Sequence, residues 1–281
     1  MHKIDAHQHF WHYNAVRDSW ITDDMQVIRH DFLPADLLPQ LSSNGIHGCI
    51  AVQADQSESE NDFLLQLASE NNFIRGVVGW VDLQAADVED RLNYYSKFKK
   101  MKGFRHVLQG ELQRDLMLTD AFKQGIALLN KYGFTYDVLI FPDQLKFTEQ
   151  LVALYPDQTF IIDHIAKPNI KGQKIDGWKE NIQALAKYPN VSCKVSGMVT
   201  EANWNTWQEA DFKPYLDTIF EAFGFSRVLF GSDWPVCLVA ATYSRMLDIV
   251  KHYTAKFSAQ EQALFWGNNA IRIYRLDVNK T

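Results

Sequence analysis

Cysteine is scarce in this chain of 281 residues: Cys49, Cys193 and Cys237 are the only three. Each lies in or beside an apolar run, and none has the short spacing of a metal-binding pair. A disulfide framework and a cysteine-type zinc site are therefore excluded, and buried free thiols in a reducing compartment are expected. No apolar run approaches the ~20 residues that cross a bilayer. The few residues Met1-His2-Lys3 before the first strand leave no room for a secretory leader, so a cytoplasmic protein is expected, with no membrane partner. Basic stripes are also missing. The longest basic cluster, Lys97-Phe98-Lys99-Lys100, reads as a solvated helix end. With a net charge of −6 and a pI near 5.8, nucleic acid is not an expected partner. No Gly-x-Gly-x-x-Gly turn follows the first strand, which argues against a dinucleotide fold. Low-complexity linkers and long internal repeats are absent too.

What is present is a globular composition, 47% hydrophobic and 22% charged, which excludes disorder. Short β-branched or aromatic runs recur at roughly the length of one strand-helix unit, about 30 residues. Eight strands are expected, at 3–6, 48–53, 76–81, 101–107, 134–140, 159–163, 191–195 and 227–231. Helical stripes fall between them. Phe63, Leu64, Leu67 and Ala68 form one; Phe122, Ile126 and Leu129 form another, with Gly133 as its stop. Trp178, Ile182 and Leu185 form a third, and Leu216, Ile219, Phe220 and Phe223 a fourth, with Pro214 expected near its start.

Eight alternations of apolar strand and amphipathic helix predict an α/β fold, a single (β/α)8 TIM barrel over residues 1–281. An open doubly wound sheet is the alternative. The connection over 10–34, with Trp11, Tyr13 and Trp20, is the long one and is expected to be an aromatic lid or substrate wall. Ser258-Ala259-Gln260-Glu261 reads as a capping box opening a terminal helix that buries Leu264, Phe265 and Trp266.

In such barrels the chemistry gathers at the C-terminal strand ends, and polar candidates fall there. His7 and His9 end strand one, at the i, i+2 spacing that puts two imidazoles on one face and suits a divalent ion such as zinc. Taken alone, they could equally be chance surface histidines. Arg105 and His106 end strand four; as neighbours in a strand they point to opposite faces, and His106 is favoured as the substrate contact. Tyr136 and Asp137 lie in strand five, His164 follows strand six, Lys194 and Ser196 belong to strand seven, and Asp233 follows strand eight. Tyr136 could bond a substrate oxygen or sit in the core. Lys194, in an apolar strand, needs a partner such as Asp163. Trp11, Trp80 and Trp234 could offer flat apolar faces. Asp233 could be a general base or the N-cap of the next helix.

Asp5-Ala6-His7-Gln8-His9-Phe10-Trp11, Gly103-Phe104-Arg105-His106, Asp163-His164-Ile165-Ala166-Lys167-Pro168, Gly231-Ser232-Asp233-Trp234-Pro235 and Gly267-Asn268-Asn269-Ala270 together resemble the amidohydrolase superfamily. Within it the chain resembles the sugar-lactonase branch of fuconolactonase- and rhamnonolactonase-like enzymes, over nearly its whole length. The resemblance implies a distorted (β/α)8 barrel that opens a five- or six-membered sugar-acid lactone by water attack. It also implies Asp233 as the base, with His164 and His106 assisting, and His7, His9, Trp11, Trp80, Arg105 and Tyr136 about the substrate. Metal-dependent members carry a further histidine on strand five, and 134–138 has none. Two alternatives follow: one zinc ion on His7, His9, His164 and Asp233, or a metal-independent site in which the histidines donate to the substrate. A binuclear centre is not expected. A zinc-dependent decarboxylase, with Arg105 clamping a carboxylate, is the competing activity, and a non-catalytic binding barrel is a third reading. No oligomeric state is indicated.

Overall fold

The computed structural model describes residues 2–277. Eight parallel strands lie in sequential order: β1 (Ile4–Gln8), β2 (Gly48–Val52), β3 (Ile74–Gly79), β4 (Met101–His106), β5 (Thr135–Val138), β6 (Phe160–Ile162), β7 (Val191–Val195) and β8 (Val228–Phe230). Between and after them run α1 (Pro34–Ser43), α2 (Glu58–Glu70), α3 (Val88–Tyr95), α4 (Asp120–Lys131), α5 (Leu145–Leu154), α6 (Trp178–Leu185), α7 (Glu209–Phe223), α8 (Tyr243–Thr254), α9 (Ala259–Ala263) and α10 (Asn269–Ile273). The sheet curls into a (β/α)8 barrel whose seam lies between β1 and β8. It is closed beyond the end of β8, where the His9 amide donates to the Trp234 carbonyl at 2.7 Å and the Asp233 amide to that of His7 at 2.8 Å.

Two apolar cores follow from the two faces of the strands. The outer one lies between sheet and helices and takes up the predicted stripes: Leu64 and Ala68, Phe122, Ile126 and Leu129, and Trp178, Ile182 and Leu185 are all buried there. The inner one fills the barrel. It is apolar on the β1–β3 side, with Ile4, Ala6, Ile50, Val52 and Val78, and it is plugged from below by Ile273, Tyr274 and Leu276.

Hydroxyl caps start several helices, which meets the unpaired amides of a first turn. Ser57 accepts from Glu60 N, Thr119 from Phe122 N and Thr242 from Arg245 N. Ser258 and Glu261 form the expected capping box of α9, and Phe265 and Trp266 are buried after it. Pro214 departs from expectation: α7 begins five residues earlier, at Glu209, where the Gln208 amide donates to Asp211. The proline thus sits inside the helix. Lys97-Phe98-Lys99-Lys100 follows the end of α3 rather than forming it.

Candidate active site

A register shift in the β1–β2 pairing, between Asp5 and Gln8, sets up the site. The irregularity lets consecutive residues Ala6 and His7 both face the barrel axis, and His9 follows on the same side. Asp5 faces outward. Its carboxylate accepts from the Ser232 amide at 2.8 Å and the Tyr243 hydroxyl at 3.0 Å, which fixes the turn after β8. Burial raises its pKa to about 6.

That turn delivers Asp233, held at φ +58°, to the histidines. Its Oδ1 lies 3.4 Å from His9 Nε2, 3.8 Å from His7 Nε2 and 3.9 Å from His164 Nε2. Pro235, not Asp233, stands at the start of the short turn Val236–Val239, so Asp233 does not serve as an N-cap. His164 comes from a segment in which His164, Ile165, Ala166 and Lys167 all have φ between +49° and +57°. Four successive left-handed residues without a glycine are costly, at roughly 1–2 kcal/mol each. The turn places both His164 and Lys167 in the cavity wall. Gly197 makes room for it, since a Cβ there would lie 2.5 Å from His164 Nδ1.

One hydrogen bond fixes a ring proton: His9 Nδ1 lies 2.8 Å from the Val52 carbonyl, which can only accept, so Nδ1 carries a proton. Both ring nitrogens of His7 face donors, Nε2 the Arg105 Nη1 at 3.3 Å and Nδ1 the Lys194 ammonium at 3.2 Å. The Nε2 atoms of His7 and His9 face each other at 3.2 Å, a separation that suits a shared proton or a metal ion between them. Beneath them His7 Nδ1 approaches Asp163 Oδ1 at 3.3 Å, and Lys194 approaches Asp137 at 2.5 Å and Asp163 at 3.0 Å. Tyr274 donates to Asp137 from below.

The charges follow from burial and these partners. Burial lowers the pKa of His7 and His164 well below the ordinary range. Burial alone would raise that of Asp163, but Lys194, His7 and Arg105 outweigh it and hold the carboxylate ionised. Asp233 is likewise lowered: His164, the bond and charge of His9, and Lys167 overcome its burial.

Above this floor a cavity of about 380 Å³ opens, of the size that takes a small ligand. His9, His164, Asp233 and Arg105 line its base. Trp11, Trp20, Val107, Leu139 and Val236 give apolar walls, and Arg17, Asp55, Gln56, Gln109 and Lys167 give polar ones. The 10–34 connection thus contributes Trp11, Arg17 and Trp20 to the wall.

Not every expected residue comes here. Arg105, not His106, takes the inward position on β4; its long arm reaches Asp163 at 3.1 Å. His106 faces outward, between Glu111 at 2.7 Å, the Trp80 indole at 3.3 Å and the Phe122 ring. Trp80 is thereby committed to His106, outside the cavity lining. Tyr136 is fully buried against Phe122 and Phe160, because the next residue, Asp137, holds the inward position. Trp234 packs on Phe10 and Phe32. His7 is completely buried below the floor and takes no part in the lining. Sequence reasoning missed Arg17, Asp55, Gln56, Gln109 and Lys167; the only signal for Asp55-Gln56 was a polar pair shortly after an apolar strand.

Similarity to known proteins extends over nearly the whole chain. The chain is 38% identical over 285 residues to an L-fucono-1,5-lactonase of Burkholderia multivorans, covering 98% of this chain and 96% of the relative. It is 32% identical to an L-fucono-1,5-lactonase of Burkholderia ambifaria, covering 98% and 96%. A crystal structure of an amidohydrolase from Burkholderia multivorans with bound zinc superimposes with a TM-score of 0.95 at 37% identity, covering 99% of this chain and all of that one. The amidohydrolase family model matches residues 4–276, and the chain belongs to that family.

Proposed function

We propose that this chain hydrolyses a sugar-acid lactone, a 1,4- or 1,5-aldonolactone such as L-fuconolactone, with Asp233 as the general base. The observation that carries the reading is the position of Asp233. An ionised carboxylate, ringed by three imidazoles, lies at the base of a cavity suited to one sugar ring.

Asp233 accepts a proton from water as the water oxygen bonds to the lactone carbonyl carbon. The tetrahedral intermediate then breaks its ring C–O bond, and Asp233 returns the proton to the departing alkoxide, leaving a hydroxy acid. Arg105 supplies a permanent cation in the cavity wall, held by Asp163 and the Gln53 carbonyl. His164 Nδ1 pairs with the Ser196 hydroxyl at 3.0 Å, which can donate or accept. In one sense His164 Nε2 donates to the lactone carbonyl; in the other it carries a lone pair towards an ion. Trp11 and Trp20 supply flat surfaces for the C–H faces of a sugar, while Asp55, Gln56 and Gln109 supply partners for its hydroxyls.

One divalent ion fits the donor set. Ligand atoms of His7, His164 and Asp233 lie within 4.8 Å of one another, and the facing ring nitrogens of His7 and His9 suit a cation between them. Those four residues would hold a zinc ion, which would polarise the carbonyl and acidify a bound water. On β5 the inward position belongs to Asp137, which is tied to Lys194 and is not among the candidate donors.

Decarboxylation is the weaker alternative. It asks Arg105 to clamp a substrate carboxylate, whereas that guanidinium is already bonded to Asp163, Gln53 and His7. The same reading takes residues 1–281 as one domain serving carbohydrate metabolism in a reducing cytoplasm, where the three buried thiols stay free. Among the described residues no helix is long and apolar enough to cross a membrane.

A panel of aldonolactones, followed by acid release with a pH indicator, tests the proposal. Stereoselective ring opening above the buffer rate is expected. Release of carbon dioxide from an aromatic acid, with no lactone opened, would replace it with the decarboxylase reading.

A further inference from the structure

A second cavity, of about 770 Å³, opens on the same face of the barrel as the lactone cavity. Its lining comes from the 10–34 connection and from the connections after β5, β6, β7 and β8, through residues such as Asp24, Phe141, Asn169, Asn203 and Val239.

The two cavities are neighbours at the level of single residues. Lys167 lines both, and it is the only described residue that does. Leu139 of the lactone cavity and Phe141 of the second are two residues apart in the chain, which limits their Cα separation to about 7 Å. Val236 and Val239 are divided between the cavities in the same way; they stand at the two ends of one short turn, a rise of about 6 Å. A substituent on a ring in the first cavity therefore needs only a short reach to enter the second.

The charges of this lining cancel. Lys167 and Lys171 are matched by Asp24 and Glu201, and Lys167 pairs with Glu201 at 3.3 Å. What remains is amide and aromatic surface. Asn169 Oδ1 accepts from the Gly172 amide at 2.8 Å and Asn203 Oδ1 from the Asn205 amide at 3.3 Å. Each carboxamide is thereby oriented, while its nitrogen donates to no protein acceptor among the described residues. The Trp204 indole is fixed by donating to the Thr200 carbonyl at 2.9 Å, and the Phe141 ring is exposed. Oriented amide donors beside aromatic rings suit a sugar, which carries hydroxyls around its edge and C–H bonds on its faces. A lining without net charge favours a neutral one.

We propose that the second cavity is an outer subsite for a neutral glycosyl unit, so that the chain takes a glycosyl-substituted aldonolactone, with the lactone ring over Asp233 and the second sugar against Asn203 and Phe141. The proposal rests on the lactonase reading and extends its substrate class. Only the lactone ester is hydrolysed, and the glycosidic bond stays intact. The outer sugar adds binding that reaches the transition state without touching the reacting atoms.

Initial rates of acid release test this with glucono-1,5-lactone and with cellobiono- and maltobiono-1,5-lactone, which carry the same reactive ring with a β- or an α-linked second sugar. L-Fuconolactone, run alongside, reports on the lactonase reading alone. At least one disaccharide lactone is expected to exceed glucono-1,5-lactone in kcat/KM by about tenfold or more. Asn203→Ala and Phe141→Ala, both outside the lactone cavity, should each remove that advantage while the rate on glucono-1,5-lactone stays within a factor of about two and circular dichroism is unchanged. Absence of any disaccharide advantage, or an advantage that survives either substitution, overturns the subsite. Turnover of L-fuconolactone then leaves the lactonase reading standing, and its failure removes that reading as well.

Discussion

Lys194 donates its ammonium to Asp137 at 2.5 Å inside the barrel, where neither side chain has any exposed surface. The same ammonium lies 3.0 Å from Asp163 and 3.2 Å from His7 Nδ1. One buried cation therefore compensates two carboxylates and props the first-strand histidine from below. Lys194→Met should cost about 3–5 kcal/mol in urea unfolding, the penalty of leaving buried charges unpaired. Adding Asp137→Leu should restore more than half of that loss, because Asp163 keeps Arg105. A double variant no more stable than the single one would contradict this account.

Glu60 makes stability depend on pH. Its carboxylate is buried, accepts the Ala54 amide at 2.9 Å and has a pKa raised by burial from 4.5 to about 7. Between those values the folded state binds more protons than the unfolded one, so stability falls as pH rises through that window. Glu60→Gln keeps an acceptor for Ala54 and removes the titration. It should stabilise the protein at pH 8 by up to about 3 kcal/mol and change little at pH 4. Parallel denaturation curves of the two proteins at both pH values would contradict it.

The facing nitrogens of His7 and His9 predict zinc uptake of one ion per chain after chelator treatment, read by elemental analysis. His9→Asn should weaken that uptake by about tenfold or more. Retention of stoichiometric zinc by the variant would remove His9 from the donor set.

Trp20, on the wall contributed by the 10–34 connection, lines the cavity and packs edge-on against Trp11. Trp20→Ala should therefore raise KM for the lactone by about tenfold while leaving kcat within a factor of about two, as expected for loss of uniform binding. An equal fall in kcat would instead give Trp20 a part in the transition state.

How far the sequence reaches is clear from particular residues. The eight strands are legible because a strand covered on both faces is mostly apolar; 191–195 coincides with β7, and the other bounds shift by a residue or two at one or both ends. His7, His9, His164 and Asp233 are legible because each lies at the C-terminal end of an expected strand or within two or three residues of it, where the architecture gathers its chemistry. Arg105 and His106 are not separable that way. A period of two assigns them to opposite faces without saying which faces inward, and the choice falls to the side chain long enough to reach Asp163. Arg17 and Gln109 lie on connections, where no period sets a direction. Lys167 sits in a left-handed turn that no glycine announces.

The most direct measurement is the initial rate of acid release from an aldonolactone by the native protein and by Asp233→Asn. Native turnover with a loss of about 10²–10⁴-fold in kcat in the variant, at an unchanged melting temperature, is the predicted result. Turnover retained in Asp233→Asn would contradict the assignment of the base, and with it the proposed mechanism.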